Sequence, residues 1–181
     1  AQIIDQAPGD RIHMTARAVD EAGTPLTRGF SDVVRAEQGT LDPPVVDIAE
    51  GESAAHFTWT HTDLGEYTIA AEHTGLVGDS LDVVLGPTPP VIAVTSPDHF
   101  AGLLEPGEDF RFEITGYAPV EREAITVELN GEDFSDRIEV SGERGKLEVR
   151  LGGLVPDRTY RARIAVASEW GDAEHAATFK I

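Results

Sequence analysis

The chain has 181 residues, a formal net charge of −19 and no cysteine. That charge argues against nucleic acid and anionic membrane surfaces as partners, and the missing cysteine excludes disulfides and thiolate metal sites. A hydrophobic share of 40% is enough for packed cores and argues against wholesale disorder.

Read in order, Ile3-Ile4 predicts a first strand, closed by the turn composition Ala7-Pro8-Gly9-Asp10. In Arg11 to Val19, Ile12, Met14, Ala16 and Ala18 fall on one face and Arg11, His13, Thr15 and Arg17 on the other. That period of two predicts a half-buried strand. A turn over Asp20 to Pro25 leads to a strand expected around Phe30 to Ala36. A loop through Pro43-Pro44 and a short strand, Val45 to Ile48, are expected next. Ala55, Phe57 and Trp59 form the inward set of the following strand. Asp63-Leu64-Gly65-Glu66-Tyr67-Thr68-Ile69 then opens a strand, Glu72 to Asp79 is a turn, and Ser80 to Leu85 is the last strand of this half.

Pro87, Pro89 and Pro90 follow within four residues. Prolines cannot donate to a sheet ladder and hold the chain extended, so 87–90 predicts a short stiff linker between a domain over 1–86 and another over 91–181. The first stretch carries 4 Lys+Arg against 15 Asp+Glu, or −11, and residues 87–181 carry 10 against 18, or −8. Each is near the size of one sandwich, roughly 100 residues. With so short a joint an elongated, semi-rigid pair is expected.

Beyond the linker, Val91 to Thr95 predicts a strand, and Ser96 to Gly107 loop. Asp109 to Thr115 alternates with Phe110, Phe112 and Ile114 inward, and Ala124 to Leu129 with Ile125, Val127 and Leu129 inward. Asn130-Gly131 is a strong turn signal. Phe134 to Val140 is expected as a short strand, Ser141 to Gly145 as a loop, and Leu147 to Leu151 as a strand. Tyr160 to Val166, the turn Glu169-Trp170-Gly171-Asp172 and a closing strand from Ala173 to Ile181 complete the chain.

Asp63, Gly65 and Tyr67 resemble the tyrosine corner of immunoglobulin-type sandwiches, with Ile69 where the disulfide cysteine stands in that family. Val19-Asp20-Glu21-Ala22-Gly23-Thr24-Pro25-Leu26 looks like the opening of bacterial immunoglobulin-like repeats. Leu154, Pro156, Tyr160, Ala162, Ile164 and Val166 resemble the corresponding corner of fibronectin type III domains, with Thr159 one residue late. These resemblances imply an all-β chain of two tandem antiparallel sandwiches, immunoglobulin-like then fibronectin type III-like, with Tyr67 and Tyr160 as structural tyrosine corners. They imply an extracellular or cell-surface setting, bacterial in origin. The order of corner, Gly-Asp turn and last strand recurs, at Gly78-Asp79 and at Gly171-Asp172, as a weak internal repeat.

Chemistry is sparse. The six histidines stand in no metalloprotease or nucleophile-elbow context and read as surface side chains, and no glycine loop suited to phosphate is present. No enzyme is expected. Calcium is the one candidate cofactor, with Asp63, Asp79 and Asp98 near turns as ligands; the competing reading is solvated turn residues. Trp170, Tyr117 and Phe100, all in expected loops, are the candidate binding aromatics, with sugar rings or a protein as ligand; packing over the sandwich end competes for Trp170. No run reaches a membrane span's roughly 18 apolar residues, so no membrane insertion is expected. Residues 1–5 lack a signal peptide's basic and apolar regions, which suggests a removed signal or an excised fragment. The expected role is a non-catalytic spacer or docking region of a larger exported protein, with other domains of that protein, or an unknown protein or glycan, as partners.

Overall fold

The computed structural model describes residues 2–97 and 103–181, with side chains from residue 6 onward. It is all-β, and the chain divides into two compact units, Ala1–Pro87 and Thr88–Ile181.

The first unit runs β1 (Gln2–Gln6), β2 (Ile12–Arg17), β3 (Val34–Ala36), β4 (Thr40–Asp42), β5 (Ala54–Thr60), β6 (Gly65–Ala71) and β7 (Asp79–Leu85). One sheet has the order β1-β7-β6-β3, with β1 parallel to β7; the other has the order β2-β5-β4. The two-residue period does what it predicts. Ile12, Met14 and Ala16 of β2 and Ala55, Phe57 and Trp59 of β5 are buried between the sheets. Trp59 is fully enclosed, and its Nε1–H donates to the Gln38 carbonyl at 2.8 Å. A buried indole therefore keeps its one polar atom satisfied.

Two expectations in this unit need correction. The strand expected from Phe30 begins only at Val34, because Asp32 has φ 51°, outside the extended region, with its N–H bound to Asp47 Oδ1 at 2.7 Å. The strand expected at Val45 to Ile48 is instead β4, at Thr40–Asp42. Val46 and Ile48 are buried on backbone outside the named strands, held to the other chain segment by an isolated bridge from Ile48 to Phe30 and by the Val33 N–H on the Val46 carbonyl at 2.9 Å.

The second unit runs β8 (Val91–Ser96), β9 (Phe110–Gly116), β10 (Ile125–Leu129), β11 (Glu132–Asp133), β12 (Glu139–Glu143), β13 (Gly145–Leu151), β14 (Thr159–Val166) and β15 (Ala173–Lys180). Its sheets have the orders β11-β10-β14-β15 and β12-β13-β9-β8. Phe110, Phe112 and Ile114 face Ile125, Val127, Leu129 and Ile164 across the core. Phe110 stacks on Phe179 at 4.6 Å between centroids. Burying each such side chain is worth about 1.5–3 kcal/mol. The β10–β11 turn has Asn130 at φ 54° and Gly131 at φ 84°, the pairing of a tight primed hairpin turn. The Asn130 side chain also ties to β14, accepting the Arg161 N–H at 2.9 Å and donating to the Thr159 carbonyl at 3.1 Å.

Here too one stretch is corrected. Phe134 to Val140 is not one strand. Ser135–Arg137 is a single 3₁₀ turn, and β12 occupies Glu139–Glu143, most of the expected loop. The Arg122 guanidinium gathers the Ser135, Asp136 and Ile138 carbonyls at 3.1–3.3 Å and fixes that crossing.

Candidate functional site

Both tyrosine hydroxyls bond back to the backbone just before their strands. Tyr67 Oη donates to the Asp63 carbonyl at 3.0 Å. Burial raises the phenol's pKa above the usual value, and the Asp63 charge adds to the rise. His61 stands edge-on to the same ring at 4.5 Å. Tyr160 is buried, and its Oη accepts the Val155 N–H at 2.9 Å. Each hydroxyl thus ties down the loop that precedes its strand, β6 in one unit and β14 in the other.

The aromatic candidates are brought together in part. Tyr117 follows β9, and Trp170 lies in the turn between β14 and β15. Both are half-buried, and both flank Arg144, at the turn joining β12 to β13. The guanidinium carbon lies 6.0 Å from the Tyr117 ring and 5.8 Å from the Trp170 ring. Arg144 Nε also donates to the Tyr117 carbonyl at 3.1 Å. The surrounding backbone is built for this approach. Gly145 has φ 104°, and a Cβ there would meet the Tyr117 ring at 3.2 Å. Gly171 lies under the Pro89 ring, where a Cβ would come within 2.9 Å. The Trp170 turn is held by its own polar groups, with Ser168 Oγ accepting the Trp170 N–H at 3.1 Å. The result is one cation set between two half-buried rings, a polar and aromatic patch. Arg144 carried no signal in the sequence, because it meets the rings only through tertiary approach of three turns. The third aromatic, Phe100, lies outside the described residues.

The calcium candidates do not gather. Asp63 precedes Gly65, which pairs with Leu85, whereas Asp79 pairs with Ala71 at the other end of β6. A strand of that length separates them by roughly 20 Å, so the two carboxylates do not share an ion. Asp79 Oδ1 instead accepts the neighbouring Ser80 N–H at 2.8 Å. Asp98 lies outside the described residues. Among the described residues, no three His, Asp or Glu side chains are grouped to hold a metal ion. Two histidines expected at the surface are half-buried against rings, His61 on Tyr67 and His73 on Phe30.

Among the described residues no helix is long and apolar enough to cross a membrane. No protein-family model and no curated protein sequence matches the chain. Among solved structures, a titin Ig tandem aligns over 99% of this chain and 92% of that chain, at 14% identity and a TM-score of 0.40. A second titin fragment aligns over 99% and 94%, at 11% identity and a TM-score of 0.41. The N-terminal eight Ig domains of the Down syndrome cell adhesion molecule align over 97% of this chain and 25% of that chain, at 17% identity and a TM-score of 0.35. The strand orders themselves, two facing antiparallel-rich sheets in each unit, define the architecture. In fold, the chain is a tandem of two immunoglobulin-like β-sandwiches.

Proposed function

We infer that the chain is a non-catalytic spacer or docking region of a larger exported bacterial protein. In this reading residues 1–86 are a bacterial immunoglobulin-like module, 91–181 a fibronectin type III-like module, and 87–90 the joint between them. The observation that carries it is the pair of separate cores. One is built from Ile12 through Leu85 and the other from Ile92 through Ile181, with no residue shared. Modules that close their own cores keep their fold when set in series, which is what a spacer needs. The test is replacement within the parent protein. Exchange for an unrelated sandwich pair of equal length should preserve the parent's activity, while deletion should lower it. Loss of activity on exchange would rule the spacer role out in favour of specific binding.

The cluster of Trp170, Arg144 and Tyr117 favours a second reading, a module that binds a glycan or a protein. Its ligand would stack on the rings beside the guanidinium charge, at the end of the sandwich that carries these turns. Binding on a glycan array should be present for the unaltered chain and lost in Trp170→Ala. Equal signals for the two proteins would remove this reading.

A further inference from the structure

The two units treat their second strands differently. In the second unit β9 is covered on both sides, by β13 and by β8. In the first, the corresponding strand β2 pairs only with β5, and among the described residues nothing covers its other side. The neighbouring strand β1 lies in the opposite sheet, and its pairing with β7 begins only at Leu81. The flank between β2 and the start of β7 is therefore open. It forms a groove of about 450 Å³ lined by Met14, Ala16, Phe57, Ile69 and Leu81, with Asp79 the one carboxylate in its lining.

The hydrogen-bonding groups of that edge can be assigned. The Ala18 N–H donates to the Ser53 carbonyl at 3.0 Å, toward the β5 side. Ladder bonds alternate along an antiparallel pair, so Ile12, Met14 and Ala16 also turn their backbone groups toward β5. The N–H and C=O groups of His13, Thr15 and Arg17 consequently face the open side. An unpaired edge of this kind is a template for another strand.

Charge selects what strand that is. The first unit has only four basic residues against 15 acidic ones, and two of the four, Arg11 and Arg17, stand with His13 on the exposed face of β2. This is a basic edge on an acidic body. Two copies joined antiparallel through β2 about Met14 would set Arg11 opposite Arg17, and like charges directly across a ladder are destabilising. We propose that the β2 edge receives, by strand addition, an extended acidic peptide whose alternate residues are small and apolar. Its apolar side chains enter the groove over Met14 and Ala16. Its carboxylates lie beside Arg11, His13 and Arg17, on the side away from Asp79. The inference is independent of the spacer reading and would hold if that reading failed.

The test is a titration of the ¹⁵N-labelled 181-residue chain with the synthetic peptide acetyl-Glu-Val-Glu-Ala-Glu-Val-Glu-amide. Amide shifts should concentrate at His13, Thr15 and Arg17, and those amides should gain protection from hydrogen exchange. A peptide with Lys in place of each Glu should bind about tenfold more weakly, and the double variant R11E/R17E should reverse that order. Thr15→Pro removes an outward N–H and should abolish the shifts while near-UV circular dichroism is kept; if it unfolds, R11E/R17E alone decides. No binding at millimolar peptide, equal binding of both peptides, or shifts scattered away from β2 would overturn the proposal. Self-association through β2 in sedimentation would overturn it too, since a second copy would then be the occupant.

Discussion

Gly39 and Gly51 isolate a single steric contact. Both have positive φ, 86° and 92°. Around Gly51 nothing lies within 4 Å of a built Cβ, whereas at Gly39 such a carbon would meet Trp59 Nε1 and come within 2.6 Å of Cε2. Trp59 is fully buried and anchored to the Gln38 carbonyl, so it cannot swing away without losing that bond. In Gly51→Ala, the left-handed backbone costs about 1–2 kcal/mol, partly offset by about 0.4–1 kcal/mol from a stiffer unfolded chain. Gly39→Ala carries the same net backbone cost plus about 1–3 kcal/mol for overpacking a closed core. The difference between the two variants should therefore be about 2 kcal/mol. For a unit of this size that corresponds to roughly 8–16 °C in Tm. Urea unfolding followed by Trp59 fluorescence, in a Trp170→Phe background so that only the first unit reports, measures it. Equal destabilisation by the two substitutions would refute the idea that the indole contact, rather than φ alone, requires glycine at position 39.

Further outcomes follow from named contacts. Tyr67 has a raised pKa in the fold, through burial first and the Asp63 charge second. Its contribution is therefore complete below the phenol's ordinary value of about 10 and lost as pH rises through the folded value. Urea midpoints of the first unit should fall in that alkaline window, and Tyr67→Phe should flatten the fall. Ser135 Oγ accepts the Val127 N–H at 3.0 Å and donates to Asp133 at 2.6 Å, holding that carboxyl below its usual range. Ser135→Ala should cost about 1–3 kcal/mol by leaving the Val127 N–H unpaired, and an NMR titration should show the Asp133 carboxyl rising toward its ordinary value. Arg122→Ala should cost about 1.5–3 kcal/mol and speed amide exchange across Ser135 to Ile138, because three carbonyls lose one cationic donor.

Strands buried on one face were legible because alternation records burial directly: Met14, Phe57, Phe112 and Val127 each fall on the buried side. The strands that escaped are those at sheet edges. In β12, Glu139-Val140-Ser141-Gly142-Glu143, one half-buried valine is the whole apolar signal, since an edge strand needs a single ladder and little core. Val46 and Ile48 misled for the converse reason. They are core residues on backbone that forms one isolated bridge and no continuous ladder, so apolar content there records packing. At the candidate site the rings were legible and their organiser was not. Trp170 and Tyr117 stand out by residue type, but Arg144 looks like any turn arginine until folding carries it between them. The aspartates Asp63 and Asp79 failed as a pair because proximity to turns says nothing about which end of a strand a turn closes.

The β10–β11 turn also sets how this protein ages chemically. An asparagine followed by glycine loses its side-chain ammonia readily, because the unhindered Gly131 nitrogen reaches the amide carbon. Here that amide is engaged on both sides by β14, through the Arg161 N–H and the Thr159 carbonyl. Closing the ring would require both bonds to break, so the folded hairpin is self-protecting and damage is confined to openings of the β10–β14 ladder. Once formed, an aspartate at this position would set an oxygen against the Thr159 carbonyl where a donor had been. The lesion would then weaken the pairing that had delayed it, and wear at this turn would accelerate itself.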